Sequence, residues 1–178
     1  MKPKLIILSD LWGKDKSDWV SVYFELLKDK LEIQYYDCCK LGEIDKTNYS
    51  EENLHNQFIN GGIEKAVENL LNFEKNQVDI LAFSIGGTIA WKAALKGLNV
   101  RSLFAVSSTR LRYEDETPNG SIKGYYGEND TNKPNNDWFE KHSIDFEIIK
   151  NQEHDFYTEI DCATFICNEI LKKIHTIC

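Results

Sequence analysis

The sequence lacks the long apolar runs that targeting and membrane-spanning segments need. Its first apolar run, Leu5–Leu8, stops at Ser9-Asp10 after four residues, whereas a signal peptide needs about 7–15 apolar residues and a membrane span about 20. Long basic runs are missing too. The longest is Lys172-Lys173, and the phosphate backbone of a nucleic acid is bound by concentrated positive charge. We therefore expect no membrane and no nucleic acid as a partner.

Cysteine is scarce, and its spacing fits neither a disulfide framework nor a zinc site. The number of cysteines is odd and two are adjacent; the five are Cys38, Cys39, Cys162, Cys167 and Cys178. Disulfide frameworks use even numbers of cysteines, and structural zinc sites favour C-x-x-C spacing. We therefore predict a reducing, cytoplasmic location and no metal ion. No cofactor is predicted either, because neither GxxxxGK[ST] nor GxGxxG follows an apolar run.

Proline is rare as well, and the chain has no linker rich in proline or glycine. It has only three prolines among 178 residues, and no internal repeat. Hydrophobic residues make up 42% and charged residues 28%, as in ordinary globular proteins, so disorder is not expected. Lys and Arg number 21 against 29 Asp and Glu, a formal charge of −8. We expect one domain over residues 1–178, and predict no particular oligomeric state.

Short apolar runs alternate with amphipathic stretches along the chain. Helical spacing begins near Asp18, after Gly61-Gly62, over Gly86 to Leu95 and from about Glu159, and a polar loop is expected before Gly61. The predicted strands are Leu5 to Leu8, Leu31 to Tyr36, Val78 to Phe83, Val100 to Val106, Ile122 to Tyr126 and Ile144 to Ile149. This alternation predicts an α/β three-layer sandwich, with a mainly parallel six-stranded sheet and helices on both faces. Reactive groups are then expected beyond the carboxyl ends of the strands.

A serine stands where the strand Val78 to Phe83 turns into a helix. Ala82 precedes Ser84 by two residues and Gly86 follows it by two. Small residues at these positions allow the tight turn of a nucleophile elbow, G-x-S-x-G, here with alanine first. The amide of Ile85, at the helix N-terminus, would stabilise a developing negative charge. The alternative is an ordinary turn in which Ser84 caps the helix.

A serine nucleophile needs a base, and His154 is the best-placed histidine. It follows the strand Ile144 to Ile149 and precedes the last helix. Asp130 follows the strand Ile122 to Tyr126, where a carboxylate would orient the imidazole. Other acids compete for that role, namely Glu128, Glu114 and Asp115.

The order Ser84, Asp130, His154 on alternating strands and helices resembles the alpha/beta-hydrolase superfamily. The resemblance runs from Leu5 to the last helix and indicates a short member without a lid, since only Ser107 to Ser121 separate two strands. It implies that the loop after the first strand supplies a second oxyanion-hole amide. Leu11 is the preferred donor and Trp12 the alternative, and Trp12 is also the predicted pocket wall.

The resemblance implies a serine hydrolase acting through an acyl-enzyme. An open site favours small or short-chain esters or thioesters, and a carrier-linked acyl group is also compatible. One alternative is a binding or scaffold protein that keeps the fold without useful catalysis, which Ala82 and Asp10 favour. A further alternative uses the same residues to transfer the acyl group to an acceptor other than water.

Overall fold

A six-stranded parallel sheet forms the centre of the computed structural model, which describes residues 2–177, with side chains described as far as Ile174. The strands are β1 (Lys4–Leu8), β2 (Glu32–Tyr36), β3 (Val78–Phe83), β4 (Val100–Val106), β5 (Ser121–Gly127) and β6 (Asp145–Ile149). They pair in the order β2-β1-β3-β4-β5-β6, and every pairing is parallel. All six residues of β3 are buried, as expected for a strand covered on both faces.

Helices cover both faces of this sheet. They are α1 (Val20–Leu27), α2 (Cys38–Leu41), α3 (Glu51–Gln57), α4 (Ile63–Phe73), α5 (Ile85–Leu95), α6 (Asn136–His142) and α7 (Ile160–Ile177). Helices α2, α4, α5 and α6 contribute to one apolar cluster, together with Ile6 and Ile80, whereas α1 and α7 share the other with Leu5 and Leu81. Successive strand residues point to opposite faces, which explains this division. The predicted three-layer fold class is confirmed.

The connections create a crevice between β1 and β3. These strands are neighbours, with Leu8 opposite Ala82 at their carboxyl ends. The chain continues from β1 to α1 on one face and from β3 to α5 on the other. The two loops therefore diverge to opposite faces of the sheet. The place where neighbouring strands lead to opposite faces is called the switch point, and ligands of open α/β sheets bind there.

The segment expected to be a polar loop contains two helices instead. Helix α2 is capped by Asp37, whose side chain accepts hydrogen bonds from the N–H groups of Cys39 and Lys40. Ser50 caps α3 in the same way. Periodicity did not indicate α3 because Leu54 is its only buried residue. The prediction of a polar loop in this segment is wrong: its helices are held by caps and tertiary contacts.

The close approach of α5 to the end of β1 predicts a cost for any side chain at position 86. A Cβ atom there would lie 2.5 Å from the carbonyl oxygen of Ser9 and 3.0 Å from the Cβ of Leu8. We expect Gly86→Ala to lower the free energy of unfolding by about 1–3 kcal/mol in urea titrations. The control Lys96→Ala, at the exposed end of α5, is expected to stay within about 0.5 kcal/mol. Equal stability of the two variants would contradict this close approach.

Candidate active site

Ser84 occupies a strained turn between β3 and α5. Its φ of 48° and ψ of −114° lie outside the regions that a non-glycine residue usually adopts. The side chain makes no capping hydrogen bond to α5, so the alternative reading of Ser84 as a helix cap is wrong. A Cβ at Gly87 would lie 1.8 Å from the hydroxyl oxygen of Ser108. Gly86 and Gly87 thus allow the first turn of α5 to pack closely against the loops that contain Ser9 and Ser108. The Ser84 hydroxyl remains available to other partners.

His154 lies within hydrogen-bond reach of Ser84. Its Nε2 is 3.2 Å from the Ser84 Oγ, and its side chain is 40% exposed, so the imidazole is accessible from solvent. The segment that carries it follows β6, and the Ser107 hydroxyl donates a hydrogen bond to the His154 carbonyl. Ser107 itself has a φ of 49°. Sequence reasoning did not single out Ser107, since nothing in the sequence indicates a contact with a residue so distant along the chain.

Asp130 lies behind His154, on the side away from Ser84. Its Oδ2 is 2.7 Å from the His154 Nδ1, and its Oδ1 accepts a hydrogen bond of 2.9 Å from the Asn132 N–H. Burial raises the pKa of Asp130, but the hydrogen bonds from His154 and Asn132 outweigh it, and the pKa lies below its ordinary value. An ionised carboxylate only accepts hydrogen bonds, so in the neutral imidazole of His154 the proton is on Nδ1 and the lone pair on Nε2 faces Ser84.

The three competing acids have other partners. The Glu128 carboxylate accepts a hydrogen bond from the Asn151 N–H. Glu114 forms an ion pair with Lys92, and Asp115 one with Lys141. Among the acids considered from the sequence, only Asp130 contacts the His154 imidazole.

Asp10 shapes the loop that follows β1. Its buried carboxylate accepts hydrogen bonds from the Trp12 N–H (3.0 Å) and the Tyr157 hydroxyl (3.1 Å). Burial raises the pKa of Asp10 to about 6, although both hydrogen bonds act in the opposite direction. The Trp12 N–H is therefore engaged. Within residues 2–177, by contrast, the Leu11 N–H makes no hydrogen bond.

Leu11 and Ile85 line the same cleft as Ser84 and His154. The Ile85 N–H belongs to the first turn of α5, where amides have no partner within the helix. The two residues thus offer a free amide from each side of the switch point. Free backbone amides are the kind of donor that an oxyanion hole uses.

The cleft that contains Ser84 measures about 750 Å³. Trp12 lines it and packs edge-on against Tyr49, with ring centroids 5.6 Å apart. The Lys16 ammonium lies 3.8 Å from the centroid of the Trp12 ring. These contacts hold the Trp12 ring in place as a wall of the cleft. Tyr49 lies in the segment that was expected to be a polar loop.

The cysteines near the cleft contact its loops through their thiols. Cys38 and Cys39 are free, and their Sγ atoms donate to the carbonyl oxygens of Ser9 and Leu11. Burial raises the pKa of Cys39 to about 12, so its thiol stays protonated. Among residues 2–177, no cluster of three metal-ligating side chains occurs, and no helix is long and apolar enough to cross a membrane. Cys178 lies outside the described residues.

Comparison with solved structures places this fold among the alpha/beta hydrolases, whereas by sequence no protein family and no curated protein matches. The structure is similar to alpha/beta hydrolase domain-containing protein 10 from mouse (TM-score 0.67, 12% identity, covering 100% of this chain and 92% of that one). A serine hydrolase without a lid from Xanthomonas campestris has a TM-score of 0.63 at 11% identity, covering 97% and 83%. Carboxylesterase CesB from Bacillus subtilis has a TM-score of 0.62 at 12% identity, covering 96% and 82%.

These similarities establish that the chain has the alpha/beta-hydrolase fold. The resemblance noted from the order of Ser84, Asp130 and His154 is thereby confirmed for the fold. At 11–12% identity, the similarity shows the fold and not the reaction, because one fold hosts many functions.

The buried Asp10 predicts a pH dependence of stability. An unfolded aspartate has a pKa of about 3.9, below the value of about 6 in the folded chain, so the folded state binds this proton more tightly. The resulting stabilisation is complete below about pH 4 and is lost as the pH rises to about 6. Relative to Asp10→Asn, the wild type is expected to lose on the order of 3 kcal/mol across this range in urea unfolding.

Asp115→Asn provides the matched control for Asp10→Asn. Asp115 is exposed, and the hydrogen bond and ion pair with Lys141 lower its pKa. Its contribution to stability is therefore lost as the pH falls, which is the opposite sign. A wild-type minus Asp10→Asn difference that does not change with pH would contradict the assignment of a raised pKa to Asp10.

Proposed function

We propose that this protein is a serine hydrolase that cleaves small or short-chain carboxylic esters or thioesters. The observation that carries the proposal is the hydrogen-bonded series Ser84–His154–Asp130, with distances of 3.2 and 2.7 Å, at the carboxyl edge of the sheet. The fold is that of the alpha/beta hydrolases, and one protein of similar structure is a carboxylesterase. The acyl group of the substrate belongs to a small molecule or to a carrier.

The first step forms an ester between Ser84 and the acyl group. As the Ser84 Oγ attacks the carbonyl carbon, the His154 Nε2 accepts the hydroxyl proton, and the imidazolium is stabilised by the Asp130 carboxylate. The same proton is then delivered to the departing alcohol or thiol. Asp130 stays ionised throughout, which agrees with a pKa below its ordinary value.

The amides of Leu11 and Ile85 stabilise the oxyanion of the tetrahedral intermediate. An oxyanion-hole donor contributes about 2.7–4 kcal/mol to lowering the barrier. The Asp10 carboxylate is held away from these amides, because its two oxygens accept hydrogen bonds from the Trp12 N–H and the Tyr157 hydroxyl. In the second step, His154 removes a proton from water as the water oxygen attacks the acyl carbon. His154 then returns this proton to the departing Ser84 oxygen, which releases the acid and restores the free serine.

The connection between β4 and β5 supports a preference for short acyl chains. It contains a short 3-10 helix, Thr109–Tyr113, and no helical hairpin that would form a lid. This connection therefore adds no lid that would enclose a long acyl chain in apolar surface. We expect 4-nitrophenyl acetate and butyrate to have a higher kcat/KM than the octanoate and decanoate. An optimum at decanoate would contradict the open-site argument.

Covalent labelling with a fluorophosphonate probe tests the nucleophile directly. We expect the wild type to be labelled at Ser84, with labelling abolished in Ser84→Ala and strongly slowed in His154→Ala. The control Ser108→Ala removes a buried hydroxyl on a neighbouring loop and is expected to keep the labelling. A folded wild type that is not labelled would instead support a binding or scaffold protein.

Asp130→Asn tests the proposed orienting role. Asparagine keeps the shape of the side chain but favours the other imidazole tautomer, so we expect kcat to fall by about 10⁴-fold. Glu128→Gln, which changes the nearest competing acid, is the matched control and is expected to stay within a few-fold of the wild type. A larger loss in Glu128→Gln than in Asp130→Asn would reassign the orienting carboxylate. Product analysis with added alcohols distinguishes hydrolysis from acyl transfer.

A further inference from the structure

A positively charged segment forms one wall of the Ser84 cleft. Thr109–Tyr113 is the 3-10 helix that follows β4, and both of its arginines, Arg110 and Arg112, line the cleft with Ser84 and His154. The chain as a whole has a formal charge of −8. The same cleft is also lined by Asp10, Glu51, Asp130 and Asp155, so the contacts that each arginine makes decide its role.

Arg112 is engaged in holding this segment in place. Its guanidinium donates hydrogen bonds to the carbonyl oxygens of Thr109 (2.8 Å) and Asn132 (3.1 Å) and to the Tyr113 hydroxyl (2.8 Å). It also lies over the Tyr113 ring. These contacts join the segment after β4 to the loop that contains Asp130, so they account for Arg112 structurally.

Arg110 has no such partners. Within the described part of the chain, its side chain makes no hydrogen bond and no ion pair, and its Nε is buried without an acceptor. The remaining contact is with the Tyr113 ring, 5.3 Å from the guanidinium carbon. A buried donor without an acceptor is unfavourable, especially on a charged group. A ligand that supplies an oxyanion would remove this cost.

The acids of the cleft leave Arg110 without a counterion. The carboxylates of Asp10 and Asp130 are engaged by Tyr157 and His154 respectively. Glu51 and Asp155 line the cleft at exposed positions and form no ion pair with Arg110 among the described residues. Burial and then the charge of Arg110 lower the pKa of His55, whereas the charge of Glu51 raises it. Among the described residues, the acids of the cleft are thus either engaged by other side chains or form no ion pair with Arg110.

We propose that Arg110 binds an anionic group of the substrate, a carboxylate or a phosphate, while Ser84 attacks the acyl carbon. This inference rests on the proposed hydrolase function and specifies its substrates as esters or thioesters that carry an oxyanionic group on the acyl or leaving portion. A guanidinium suits this role because its planar fork binds carboxylate and phosphate oxygens in pairs. The open side of the cleft leaves room for the remainder of a carrier.

A pair of isosteric esters tests the proposal. Mono-4-nitrophenyl glutarate ends in a carboxylate, and 4-nitrophenyl glutaramate ends in the neutral amide of the same shape. We expect the wild type to favour the anionic ester in kcat/KM, and Arg110→Gln to lower the ratio of the two values by roughly tenfold to a hundredfold. Arg110→Lys keeps the charge without the fork and should give an intermediate ratio. An equal ratio in the wild type and Arg110→Gln would overturn the proposal.

Control variants separate binding from long-range charge and from folding. Lys96→Gln removes a positive charge at the far end of α5, and it is expected to keep the wild-type ratio. Arg110→Gln is expected to unfold at the same or a higher temperature than the wild type, because it removes an unpaired charged donor. A marked loss of stability in Arg110→Gln would instead assign Arg110 a structural role and overturn the proposal.

Competition experiments distinguish the two oxyanions and separate this inference from the proposed function. Glutarate and inorganic phosphate are titrated as inhibitors, and the stronger one identifies the preferred group. If the wild type hydrolyses neither ester and Ser84 is not labelled, the hydrolase proposal fails by itself. Calorimetric titration with the same two anions then decides the role of Arg110. Binding that weakens about tenfold in Arg110→Gln supports the anion site, and no binding by the wild type overturns it.

Discussion

The strained turn at Ser84 is the constraint on which the arrangement of the site depends. A non-glycine residue in such a backbone conformation costs about 1–3 kcal/mol, and the flanking elements supply the compensation. Strand β3 is buried between β1 and β4, and the Ser84 N–H donates a hydrogen bond of 2.8 Å to the Val106 carbonyl. Because Gly86 permits contact with the Ser9 carbonyl, α5 begins directly beside the loop after β1. The Ser84 hydroxyl therefore reaches the crevice instead of capping the helix.

A buried polar network fixes the other side of that crevice. Tyr157 donates its hydroxyl proton to Asp10, and its carbonyl accepts a hydrogen bond of 2.9 Å from Tyr23. Tyr157 follows His154 by three residues, so one short segment carries the imidazole and also holds the loop with Leu11. Buried polar groups favour one conformation when every partner is supplied. This network explains how the Asp10 carboxylate can lie in the loop that contains Leu11: both of its oxygens already accept hydrogen bonds.

The strands and the long amphipathic helices could be predicted from the sequence. Burial on both faces gives β3 an apolar run that only Asp79 interrupts, and burial on one face gives α4 a regular apolar stripe. Helix α6 was not predicted, since its packing residues become evident only in contact with the sheet. The positions of Ser84, Asp130 and His154 followed from a general rule, that parallel strands end at the same edge. Partners set by tertiary contact could not be predicted: the hydroxyl of Ser107 and the unpaired guanidinium of Arg110 have no periodic signature.

The negative formal charge of the chain and an anion site in its cleft act over different distances. Exposed charges are screened within about 8–10 Å at physiological ionic strength, so the acidic surface repels an approaching anion only weakly. Inside the cleft, screening is weaker, and among the side chains described as far as Ile174 no acid is paired with Arg110. An anionic group that enters the cleft is then held by direct contact with Arg110, not by the overall charge of the chain. An acidic surface is thus compatible with a cleft that selects anions, because affinity is set by the contact and the surface charge mainly affects the rate of approach.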